Sequence, residues 1–152
     1  MMEWRADGYR IVDDPEEIDV DRLHGWLDSD AYWWPQGLRR DVLDRALANS
    51  LPLTVLDPAG VMVGFGRVVS DRATFAYWCD VYVEPAHRGR GLGQWLTSAF
   101  LGHPELATCR RYLLGTRDAH EVYARVGFAP LAMPEIFMEV HRPGAGASRE
   151  AP

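Results

Sequence analysis

Apolar residues recur either at alternate positions or in threes and fours along most of the chain, and the switches between these periods mark its elements. Tyr9-Arg10-Ile11-Val12 forms a short strand that Asp13-Asp14-Pro15 breaks. Val20, Leu23, His24 and Leu27 then share a helical face, with Trp26 nearby and Asp19 or Asp21 as the cap. On that face His24 reads as a hydrogen-bonded packing residue. A second helix is predicted over 39–48, turning Val42, Leu43, Ala46 and Leu47 inward. Residues 53–56 and 61–69 form a hairpin around Asp57-Pro58-Ala59-Gly60. Gly64 and Gly66 within its second strand predict a bulge or close packing against another element.

A longer strand follows over 74–83. Its parity places Phe75, Tyr77, Cys79, Val81 and Val83 on one face and Ala76, Trp78, Asp80 and Tyr82 on the other. Leu92, Trp95, Leu96, Ala99 and Phe100 then make one helical stripe, which Gly102-His103-Pro104 ends. Residues 111–116 read as a strand. Asp118 and Glu121 have the spacing of a capping box for a short helix carrying Val122, Tyr123 and Val126, with Gly127 as its stop. Residues 136–140 are predicted as the last strand, and 142–152, rich in Gly, Ala, Pro and Ser, as a frayed tail. Antiparallel strands followed by a helix indicate an α+β layered domain over residues 1–141.

Composition narrows the partners. The 152 residues suit one domain, and 22 acidic against 16 basic residues give a net charge of −6. An acidic balance argues against a nucleic-acid binder and is compatible with a cationic substrate. Cys79 and Cys109 have no metal-ligand spacing, and Cys79 reads as a plain core thiol. Neither a signal peptide nor an 18-residue apolar span is present, so a cytoplasmic protein without membrane association is expected.

The candidate chemistry lies after the long strand. Pro85 stops that strand, and Gly89, Gly91 and Gly93 let the backbone approach a ligand closely. The N–H groups of the next helix's first turn have no intrahelical acceptor and carry the positive end of its dipole. With Arg88 and Arg90 they make a site for an isolated polyanion; an ordinary surface turn with two solvated arginines is the alternative. A Walker A loop is excluded, because Gln94-Trp95-Leu96 provides no Lys-Ser/Thr; the GRGLG spacing excludes the dinucleotide fingerprint. Asp80 is a carboxylate within an apolar strand, either a general base or the partner of an arginine or a backbone N–H. Glu84, at the strand's mouth, is the second candidate base. Tyr32-Trp33-Trp34 either line a substrate mouth or cap the core.

Arg88-Gly89-Arg90-Gly91-Leu92-Gly93, introduced by VYVEPAH, resembles the Arg/Gln-x-x-Gly-x-Gly/Ala signature of the GNAT-type N-acetyltransferases. Ala119, Tyr123, Gly127 and Phe128 are similar to that family's Ala-x-x-x-Tyr-x-x-x-Gly-Phe, whereas Thr116 stands where many relatives have Asn. The resemblance implies a mixed, mostly antiparallel sheet of six to seven strands flanked by about four helices. It implies acetyl-CoA as co-substrate and no metal. The loop Arg88, Gly89, Arg90, Gly91, Leu92 and Gly93 would hold the pyrophosphate, and main-chain groups of Val81, Tyr82 and Val83 the pantetheine arm. Tyr123 would protonate the departing thiolate, and Asp80, Glu84 or a water chain would deprotonate a primary amine. The acceptor is then a small-molecule or peptide amine, with a homodimer as a possible assembly. A non-catalytic acyl-CoA sensor or interaction module is the rival reading, and a regulatory domain for another nucleotide a third.

Overall fold

In a computed structural model that describes residues 1–30 and 34–150, six strands form one sheet in chain order. These are β1 (Glu3–Ala6), β2 (Tyr9–Val12), β3 (Leu51–Leu56), β4 (Met62–Ser70), β5 (Phe75–Val83) and β6 (Arg111–Leu114). All neighbours run antiparallel except β5 and β6, which are parallel. The helices are α1 (Val20–Gly25), α2 (Arg40–Ala48), α3 (Leu92–Leu101) and α4 (His120–Ala124). This is the mixed, mostly antiparallel α+β layering expected.

Alternation along the strands divides the core in two. Ile11, Val55, Val68 and Trp78 face Leu92, Leu96 and Phe100 of α3, while Val12, Leu56 and Phe65 face Leu23 of α1 and Leu43 of α2. The Asp19 carboxylate caps α1 by accepting the Arg22 N–H at 3.0 Å. His24 shares a 2.6 Å hydrogen bond with the Leu38 carbonyl, the packing role expected. Pro52 fits inside β3 because β2 pairs only from Thr54 onward, leaving that side of Pro52 without a ladder. No helix among the described residues is long and apolar enough to cross a membrane.

One element was not expected and three local expectations are corrected. The β1–β2 hairpin turns on Asp7-Gly8, both at positive φ, a two-residue turn whose Asp-Gly signal the sequence reading passed over. The expected strand at 136–140 is absent: Pro134–Ile136 makes a single 3-10 turn, and Phe137 packs on the Arg111 guanidinium 4.9 Å away. The tail expected to fray is held to the domain at Gly146, Ser148 and Arg149. The Arg39 N–H bonds to the Gly146 carbonyl at 3.0 Å, and Arg149 reaches the Asp28 carboxylate at 3.0 Å. Finally, the capping box at α4 does not form, because the Thr116 hydroxyl takes the Ala119 N–H at 3.0 Å and Asp118 is left exposed.

Gly66 lies beneath the Trp78 ring, where an added Cβ would come within 2.3 Å of it. That ring cannot retreat, being stacked on Phe100 at 4.8 Å with its N–H donated to Thr97. Gly66→Ala is therefore expected to lower stability by about 1–3 kcal/mol in urea titration. The turn into β5 is held by Asp71, whose carboxylate accepts the Thr74 hydroxyl and the N–H groups of Ala73, Thr74 and Phe75. These bonds, led by the Thr74 hydroxyl, hold its pKa well below the ordinary aspartate range. A depressed folded value makes the contribution present above the unfolded pKa of about 3.9 and lost as pH falls toward the folded value. Asp71→Ala is thus expected to lower Tm at neutral pH, with the gap to wild type narrowing on acidification below about pH 4.

Candidate active site

A bulge in β5 creates the site. Between the pairs Phe65–Tyr82 and Arg67–Cys79, one residue of β4 opposes two of β5, and Asp80 absorbs the extra residue at φ +54. The parity expected for β5 therefore holds through Cys79 and inverts beyond Asp80. Val81 and Val83 pack on the α3 side, while Tyr82 stacks on Trp26 at 4.7 Å on the α1 side.

Beyond the bulge β5 also loses its other neighbour. Its parallel pairing with β6 ends at Trp78–Leu114, so the β6-facing edge of residues 79–83 has no ladder partner among the described residues. The two strands splay around a cleft of about 460 Å³ containing Trp34, Arg67, Asp80, Val81, Thr116 and Tyr123. A second hollow of about 430 Å³ continues along β5, bounded by Val83, Arg88, Gly89, Gly91, Gly93 and Arg125. Val122 lines this hollow and Tyr123 the first, so α4 bridges the two.

The second hollow has the chemistry of an anion cradle. Gly91 caps α3 at φ +77, a left-handed conformation costly for other residues. The first intrahelical bond is Trp95 N–H to the Gly91 carbonyl at 2.9 Å, so the N–H groups of Leu92, Gly93 and Gln94 have no intrahelical acceptor. A Cβ at Gly89, Gly91 or Gly93 would meet nothing within 4 Å, so the space a diphosphate needs is open in front of these amides. Arg88 is held in place: its Nε donates to the Val83 carbonyl at 2.8 Å and its guanidinium lies over the Tyr82 ring at 5.4 Å. Arg90 lines a separate hollow with Tyr9 and Trp95. The second guanidinium in the cradle is instead Arg125, at the end of α4, which the sequence reading missed. Its position two residues after Tyr123 was the available signal.

In the first cleft Asp80 is only 6% exposed. Its carboxylate accepts Arg67 Nε–H at 2.5 Å and the Trp34 indole N–H at 3.3 Å. Burial opposes the Arg67 charge, and the Asp80 carboxylate, together with Cys79 and Tyr77, offsets it, holding the guanidinium above its ordinary pKa. Burial pushes the Cys79 thiol up to about 12, so it is no nucleophile at neutral pH. Glu84 borders neither hollow and pairs with Arg22 at 2.6 Å. Trp34 lines the cleft; Tyr32 and Trp33 lie outside the described residues. Among the described residues no group of three or more His, Cys, Asp or Glu side chains is gathered to hold a metal ion.

Known proteins resemble this chain in sequence and fold. A sequence profile of the acetyltransferase (GNAT) family matches residues 11–128. A Gibberella zeae protein named as an acetyltransferase is 31% identical over 143 residues, covering 80% of this chain and 79% of that protein. A solved GNAT-family protein from Xanthomonas campestris pv. campestris is 38% identical with a TM-score of 0.86, covering 92% of this chain and 97% of the other. Rv2747 of Mycobacterium tuberculosis, solved in complex with CoA, shares the fold at a TM-score of 0.65 and 21% identity, over 80% of this chain and 72% of its own. The profile runs through the bulged strand, the glycine cradle and α4, and this chain belongs to the GNAT family of acetyltransferases.

Proposed function

We propose that the protein transfers an acetyl group from acetyl-CoA directly to a primary amine. The observation that carries this reading is the splayed edge of β5, with an anion cradle at one end and Asp80 and Tyr123 at the other. The α3 amides, Arg88 and Arg125 hold the diphosphate, and the β6-facing edge of β5 at Val81, Tyr82 and Val83, beyond the end of the β6 ladder, takes the pantetheine arm as an added strand. The structure of Rv2747 with CoA supports the same coenzyme here.

The amine nitrogen attacks the thioester carbonyl, forming the C–N bond as the C–S bond breaks. Backbone N–H groups at the bulge stabilise the oxyanion. Asp80, in the cleft, takes the amine's proton through water, and Tyr123 protonates the sulfur. Glu84, which borders neither hollow, orients Arg22 instead. Juxtaposing amine and thioester supplies up to about 7–11 kcal/mol of the barrier reduction.

The test is to mix the protein with acetyl-CoA and a panel of primary amines, following free thiol by absorbance and the N-acetylated product by mass spectrometry. The reading expects both products in equal amounts. Tight acetyl-CoA binding without either product would replace it with the sensor reading.

A further inference from the structure

We propose that the acceptor is a primary amine borne on an apolar, ring-bearing body with no anionic group, and that Asp118 selects its positive charge. The inference rests on the acyl-transfer reading and concerns the acceptor half of the same cleft. Its floor is apolar: Val69 and Tyr77 are cross-strand partners on β4 and β5, respectively 42% and 36% exposed, and both open into the cleft. The Trp34 indole stands beside them, fixed by its bond to Asp80. Exposed apolar side chains gathered in a cleft are an established mark of a ligand site.

The charges discriminate between amines. Among the described residues lining the cleft, Arg67 is the one cation, and it is committed to Asp80. Among the described residues, an acceptor carrying a phosphate or carboxylate meets only a guanidinium whose charge Asp80 already neutralises, and burying an uncompensated charge is costly. Asp118, displaced from the expected cap, lines the cleft with no hydrogen bond or ion pair among the described residues. Among the described residues, one uncompensated carboxylate above an apolar floor matches one ammonium group on an apolar body. It does not match a polyamine, an amino acid or an amino-sugar phosphate.

The experiment compares kcat/KM for phenethylamine, phenylalanine, spermidine and glucosamine 6-phosphate, with acetyl-CoA saturating. Phenethylamine is expected to lead each of the others by about tenfold or more. Asp118→Asn is expected to raise KM for phenethylamine about fivefold, with kcat and the KM for acetyl-CoA nearly unchanged. Asp118 is exposed and has no hydrogen bond or ion pair among the described residues, so the variant should fold; matching circular dichroism checks this. Preference for spermidine, phenylalanine or the sugar phosphate would overturn the inference and leave acyl transfer standing. An unchanged KM in Asp118→Asn would remove Asp118 from it. Turnover of no amine at all would overturn both.

Discussion

Replacing Tyr123 with phenylalanine is expected to lower kcat for acetyl transfer by about 10²–10⁴-fold while acetyl-CoA affinity stays nearly constant. Expulsion of coenzyme A leaves a thiolate, and the proton it takes up must come from a group within reach of the sulfur. Tyr123 lines the cleft at the junction with the second hollow, where the thioester end of the pantetheine arm would lie. A phenol is protonated at neutral pH and suits the task. Phenylalanine keeps the ring, its edge-to-face contact with Phe128 at 6.1 Å and its packing against the core, so only the hydroxyl is lost. A matching fall in kcat and kcat/KM would show that the lost interaction belongs to the transition state. Unchanged kcat would remove Tyr123 from the chemistry.

Gly91→Val is expected to weaken acetyl-CoA binding by about 100-fold, the equivalent of one to two lost charge-assisted hydrogen bonds. Gly91 lies at φ +77, and its missing Cβ leaves the approach to the first α3 amides open. Valine would force that turn toward another conformation and put a branched side chain where the diphosphate would pass. Left-handed strain of about 1–2 kcal/mol is small enough for the domain to stay folded, so a lowered affinity would report the cradle. Retained affinity would place the diphosphate elsewhere.

The architecture was largely legible because local pattern and tertiary packing agree. The apolar stripe of Leu92, Leu96, Ala99 and Phe100 does bury against Trp78, and Gly66 is small because Trp78 covers it. Two kinds of feature escaped. The bulge at Asp80 inverts the strand's parity without changing its composition: the sequence around it still alternates as a strand does, and only the ladder to β4 reveals the extra residue. That single residue sends Tyr82 to Trp26, just beyond the point where the β6 ladder ends at Trp78–Leu114. Long-range partners were the other kind. Arg67 committed to Asp80, Arg22 to Glu84, and Arg125 beside the glycine loop arise from the folding of distant segments, which no local period encodes. The strand expected at 136–140 shows the converse. Ile136, Met138 and Val140 have the composition of a strand, but Pro134 winds the approach into a 3-10 turn and no ladder forms.

The claim on which the function depends is that the α3 amides with Arg88 and Arg125 grip the diphosphate of an acyl-coenzyme. Calorimetric titration of the wild-type protein with acetyl-CoA, and separately with S-acetylpantetheine, tests it most directly, because the second ligand keeps the thioester arm and lacks the diphosphate. Saturable 1:1 binding of acetyl-CoA, with S-acetylpantetheine about 100-fold weaker or more, is the expected result. Equal affinity for both ligands, or no heat with acetyl-CoA from a protein shown to be folded, would contradict it.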